Sequence, residues 1–324
     1  MNTTLALLML MCLSWPTSGS NQRAATRQGS EASGPVDRLE LLGLLASGTD
    51  LKYVQREIKQ RGICFAFDQS VWDAMGDPRS AEWLKNQTIA VRPIEEPTVP
   101  KREDAAKHLA RGMRLAHARQ FTEAEREYQA ALTLAPDSAV LLSAFGTLLT
   151  MQGNYTAAIR EYRESIRLDP AFPAAHDFLA SALQGSNQTE AAAAEYEEAL
   201  KLDPDDTNVK IGLGMSLVTL GKYAEALPKL REVMGQAKVL PLLHKYYATA
   251  LMRTGDIQNG IAEISGYLQF DASDVGAHLL LAGGFAKAGN LSGASEQCRE
   301  ALNLSQNSPN VQQSCQIILG NKAP

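Results

Sequence analysis

Aromatic residues are scarce in this chain: Phe, Trp and Tyr make up 6% of its 324 residues. A thick aromatic core is thereby excluded, and the abundant alanines favour helices whose backbones lie close together. Basic residues are not in excess. Lys and Arg number 31 against 36 Asp and Glu, a formal charge of −5, so nothing supplies the concentrated basic surface that nucleic acid needs. Cysteine is rare, with four residues and no CxxC pair, and the familiar zinc and thiol-redox spacings are missing. No Walker-type phosphate loop, HExxH or GxSxG occurs. Gly212-Leu-Gly214 begins like a dinucleotide fingerprint but lacks the third glycine and a preceding strand. On these grounds no catalytic residue, metal site or cofactor is expected.

The N-terminal apolar run, Leu5–Trp15, holds 11 residues. That is too short to cross a bilayer and suits the core of a secretory signal, although no Lys or Arg precedes it. Small residues at 17–20 place cleavage after Gly19 or Ser20. Residues 1–20 are therefore predicted as a signal peptide, and the mature chain as exported (periplasmic, cell-envelope or secreted) with no membrane span left. Residues 21–34 have almost nothing to bury and read as a disordered leader. A small helical domain is expected over 35–91, where Asp50 can cap LKYVQREIKQR and Gly62 can end it; Asp77-Pro78 starts another helix. Residues 92–104, with three prolines, read as a stiff linker.

What the chain does have is repetition. AAAAEYEEALKLDPDD (191–206) has close copies in AAIREYRESIRLDPAF (157–172) and TEAEREYQAALTLAPD (122–137). From Ala105 onward the sequence falls, without insertion, into six blocks of 34 residues: 105–138, 139–172, 173–206, 207–240, 241–274 and 275–308. Position 8 is always Gly or Ala, position 20 likewise, and position 28 is always apolar. Each block predicts two helices joined by a turn at positions 15–16, such as Gly153-Asn154 and Gly289-Asn290. Small residues at 8 and 20 let the two backbones approach, and large apolar ones at 11, 24 and 28 fill between pairs. Pro136, Pro170 and Pro204, at position 32, disfavour helix in the residue before them and end the second helix.

This pattern resembles the tetratricopeptide repeat, with its 34-residue period and small-small-aromatic-Pro signature. The likeness covers 105–308. The Trp usual at position 4 is absent, blocks four to six have Lys238, Ala272 and Gln306 at position 32, and Tyr267 takes a normally small position. Looser packing is expected there. The implied fold is all-α: a right-handed superhelical solenoid of six helix-turn-helix repeats, preceded by a small helical bundle and closed by a capping helix in 309–324. A polar-faced end helix is what a repeat stack needs. More loosely, Leu39–Gly48 and Val54–Phe67 resemble a small helical module found ahead of repeat or enzyme domains in bacterial proteins, a likeness that implies no activity.

In the family, positions 2, 5, 9, 12 and 13 commonly line the concave side. Carried onto this chain, they give Met113 and His117 in block one, Thr147 and Met151 in block two, and Asp177, Ser181 and Gln184 in block three. Blocks four to six add Ile211, Met215, Thr219, Lys245, Thr249, Met252, Arg253 and Lys287. Such a surface is apolar and adaptable, turning basic toward the C-terminal end; flexible thioethers suit peptide or helical ligands. The expected function is a non-catalytic interaction scaffold or adaptor holding a protein or peptide ligand, with oligomeric state undetermined. The alternative is a metal-binding or enzymatic protein that uses the N-terminal module or His108, His176, His244 and His278, all at position 4. Cys298 and Cys315 both read as inward-facing, either bridged across the cap or present as two buried thiols.

Overall fold

The computed structural model describes residues 35–63, 99–235 and 240–320. The predicted signal peptide, the leader, Cys64, the helix expected at Asp77-Pro78 and most of the linker lie outside the described residues. The chain divides into two compact units, residues 1–206 and 207–324. Among the described residues both are all-α.

Unit 1 opens with a helical hairpin, α1 (Arg38–Ser47) and α2 (Leu51–Arg61). Asp37 caps α1 by accepting from Glu40 N at 2.7 Å, and Asp50 caps α2 by accepting from Lys52 N at 2.7 Å. Gly48, at φ 85°, supplies the left-handed residue that ends α1. The hairpin closes where Val36 N donates to Gly62 O at 2.9 Å, and Arg61 forks onto Glu40 and Glu57. Three helix pairs follow: α3 (Val99–His117) with α4 (Phe121–Leu134), α5 (Ala139–Met151) with α6 (Tyr155–Leu168), and α7 (Pro173–Gly185) with α8 (Thr189–Leu202). The start of α3 corrects the expected linker: residues 99–104 are helical. Pro100 stands in the first turn, where a missing N–H costs nothing.

Unit 2 continues with α9 (Thr207–Thr219) and α10 (Tyr223–Met234), α11 (Pro241–Arg253) and α12 (Ile257–Leu268), α13 (Val275–Lys287) and α14 (Leu291–Leu304), then α15 (Pro309–Ile318). Val311, Cys315 and Leu319 of this end segment pack on Ala294, Cys298 and Leu302. The looser packing expected around Tyr267 is not found. Its ring is buried among Met252, Ile264 and Leu281, and its hydroxyl donates to Asp274 at 2.9 Å. Where the position-32 proline is missing in block six, Gln306 and Asn307 end the helix with φ of 53° and 57°.

Every helix pair turns the same way. The N–H of position 16 donates back to the carbonyl of position 11, from Gln120→Leu115 at 2.9 Å through Asn290→Phe285 at 2.8 Å. Glycine takes the left-handed position in four of the six turns, with Arg119 and Asn187 in the other two. Beyond the turn, position 24 slides under position 8. A Cβ on Gly112 would lie 2.7 Å from the Tyr128 ring, and one on Gly146 2.7 Å from the Tyr162 ring. On Gly214 it would lie 2.5 Å from Leu230. The small residue of the first helix is the socket for the large residue of the second.

A candidate ligand face on the first helices

The first helices of unit 1 are not bare. α1 lies against α3 and α5, and a Cβ on Gly43 would meet Val140 Cγ2 at 2.7 Å and its carbonyl carbon at 3.2 Å. Thr147 Oγ1 donates to Ser47 O at 3.0 Å. Leu39, Leu41, Leu42 and Leu44 of α1 are all buried. Ion pairs fix its N-terminal end, Arg102 on Asp37 and Arg38 on Glu103. Past the turn, Tyr53 stacks at a tilt on Phe172 with centroids 6.3 Å apart, and Arg56 reaches Asp203 at 3.2 Å. The described part of the N-terminal segment thus lies on the repeats instead of forming a bundle that stands alone.

Several residues expected to line a groove have other work. Met113, Ile211, Met215 and Met252 are buried. Met252 fits into the space left by two glycines: a Cβ on Gly260 would be 2.4 Å from its Cγ, and one on Gly284 2.8 Å from its Cε. Thr147, Ser181 and Gln184 hold tyrosine hydroxyls. Tyr162 Oη lies 3.1 Å from Thr147 and 3.3 Å from Thr150, and Tyr196 Oη lies 3.1 Å from Ser181 and 3.4 Å from Gln184. Of the methionines named, Met151 is exposed, as are His117, Thr219, Arg253 and Lys287. Lys245 is half-buried and donates to Asp274 at 2.6 Å; Thr249 is half-buried with its hydroxyl on Lys245 O at 2.8 Å. Burial raises the Asp274 pKa, but Lys245, Ala277 N and the Tyr267 hydroxyl outweigh it and hold the carboxyl below its usual range.

Asp177 is the outlier. Burial, then the neighbouring carboxyls of Asp206 and Asp50, push its pKa well above the usual carboxylate range. It also lies within electrostatic reach of the Tyr162 hydroxyl. A carboxyl whose folded pKa exceeds its unfolded value near 4 stabilises the fold while protonated. That contribution fades as pH rises from there through the folded pKa. Asp177→Asn should therefore flatten the decline in urea midpoint of unit 1 between acidic and neutral pH. An unchanged slope would remove Asp177 as its source.

The position-4 histidines do not gather. Each faces position 23 of its own repeat, 19 residues on: His108 Nδ1 to Glu127 at 2.7 Å, His176 to Glu195 at 2.8 Å, His244 to Glu263 at 2.6 Å, and His278 to Gln297 at 2.8 Å. The repeating Glu or Gln at position 23 was present in the sequence and is the signal that finds these partners. Among the described residues no group of three or more His, Cys, Asp or Glu could hold a metal ion. Cys298 and Cys315 are free, buried thiols, Cys315 Sγ lying 3.7 Å from the Cys298 carbonyl oxygen. Burial and the adjacent Cys315 push the Cys298 thiol up to about 12.

Two tetratricopeptide-repeat family models match, over residues 173–306 and 109–176, and together they span well over half of the chain. The chain belongs to the tetratricopeptide-repeat family. Its fold is similar to the crystal structure of YrrB, described as a TPR protein with an unusual peptide-binding site, at 17% identity and TM-score 0.52 over 58% of this chain and 96% of that one. It is similar to pilF of Pseudomonas aeruginosa at 17% identity and TM-score 0.55, over 69% of this chain and 100% of that one. A third likeness is to the APC/C hetero-tetramer Cut9–Hcn1, at 17% identity and TM-score 0.52 over 68% of this chain and 43% of that one. At such identities the likeness is one of fold. A comparison with curated proteins gives no match. Among the described residues, no helix of this tetratricopeptide-repeat protein is long and apolar enough to cross a membrane.

Proposed function

We propose that this tetratricopeptide-repeat protein is a non-catalytic interaction scaffold that holds a peptide or partner helix against the first helices of its repeats. One observation carries the reading: in unit 1 that face already holds a helix, α1. In unit 2 the corresponding face includes Thr249, Gly283, and the exposed Arg253 and Lys287. A side chain at Gly283 would meet nothing within 4 Å. Lys245 is neutralised by Asp274, so Arg253 and Lys287 supply the free positive charge and favour acidic ligands.

Selection of displayed peptides on the intact protein tests this. Selected peptides should be acidic, weaken with salt, and lose at least tenfold in affinity on Gly283→Trp or on Arg253→Glu with Lys287→Glu, while helicity is unchanged. Peptides that bind these variants as well as the parent would move the ligand off this face.

A further inference from the structure

The seat of α1 fits its occupant imperfectly. Ser143 lies on α5 between Val140 and Thr147, one turn from each, and so on the face that meets α1. Its hydroxyl is buried with no hydrogen-bond partner. At the other end, the seat sets the buried Asp177 carboxyl against Asp50, the cap of α2. An unsatisfied buried hydroxyl and a like-charge approach both weaken docking. Chain continuity does not force α1 into place either. The connection through residues 64–98 could span about 100 Å if extended, so side-chain chemistry holds α1 on α3 and α5.

We propose that the concave face of unit 1 is a recognition site for a leucine-rich amphipathic helix, and that α1 occupies it in cis as a replaceable resident. The partner's helix carries α1's pattern: an acidic cap to meet Arg102, leucines on the buried face, and a glycine where the backbones of α1 and α5 meet at Val140. A hydroxyl acceptor or donor opposite Ser143 would give it an advantage the resident lacks. A tethered resident competes at an effective concentration near the millimolar range, so the intact protein binds such a helix weakly until α1 is out. The inference rests on the reading that first helices take helical ligands, but it concerns unit 1. Failure of peptide selection at Gly283 and Arg253 leaves it standing, and its own failure leaves that reading untouched.

The test uses the full chain and a fluorescein-labelled peptide of residues 35–63. Gly43→Leu in the protein drives a side chain into Val140 and unseats α1. That variant should bind the peptide at least 100-fold more tightly than the parent does. The same peptide carrying Gly43→Leu should not bind, and adding Val140→Glu to the variant protein should abolish binding. Equal affinity for parent and variant, or binding to neither, overturns the proposal. So does loss of helicity and of cooperative unfolding in the variant, since α1 would then be core and not ligand. A doubled mass of the variant in light scattering would assign the seat to a second copy of this chain and overturn the separate partner.

Discussion

Tyr162→Ala should cost unit 1 about 3–5 kcal/mol, the range for removing a large buried aromatic side chain. The ring is fully buried, lies across the Gly146 socket, and packs 6.1 Å from Phe178 of the next repeat. Its hydroxyl sits between Thr147 and Thr150, whose own hydroxyls have backbone carbonyls to donate to. The tyrosine is therefore the donor in that trio, and Tyr162→Phe isolates its share, about 1 kcal/mol. Thr147 also donates to Ser47, so losing the tyrosine should loosen α1 as well. Urea melts by circular dichroism measure the total, and hydrogen exchange should show protection lost first in α5, α6 and α1. A loss below about 1 kcal/mol for the alanine variant would mean that the socket collapses around the gap.

One substitution made at two glycines should give opposite signs. Gly146→Ala places a methyl within 2.9 Å of three Tyr162 ring atoms, and the ring cannot retreat because Thr147 and Thr150 hold its far end. Overpacking of this kind costs about 1–3 kcal/mol, which outweighs alanine's helical advantage of about 1 kcal/mol. Gly283→Ala meets only open space, so the advantage stands alone and should stabilise unit 2 by about 0.5–1 kcal/mol. Urea midpoints for the two variants decide it. If both lose stability, Gly283 is packed against something; if both gain, the position-8 socket has slack.

The repeat was legible because its physics is local. A small residue at position 8, a large one at 24 and a left-handed turn between them recur at fixed distances, and Gly146, Gly153 and Tyr162 do what their spacing predicts. Two parts of the candidate site were not read correctly. The methionines were placed by family register, yet Met252 folds into a space made by Gly260 and Gly284. Glycine interrupting the alanine column at position 20 was the unread sign of that. The seat of α1 was harder, since Thr147 and Ser47 meet across 100 residues of chain. Leu39, Leu41, Leu42 and Leu44 announce a buried helix but not what buries it. Nothing periodic ties them to Val140.

The histidine contacts bear on how such a chain can change length. Each ring nitrogen that meets position 23 is served from within its own 34 residues. Where the second nitrogen is engaged, His176 to Pro170 and His278 to Ala272, its partner is a backbone carbonyl of the preceding block, which any residue can provide. Duplication or excision of one whole block would leave no imidazole stranded. Insertion of a fraction of a block would strand one at once. The repeat is thus a unit of inheritance as well as of packing, and gene-level gains and losses survive in steps of one full repeat.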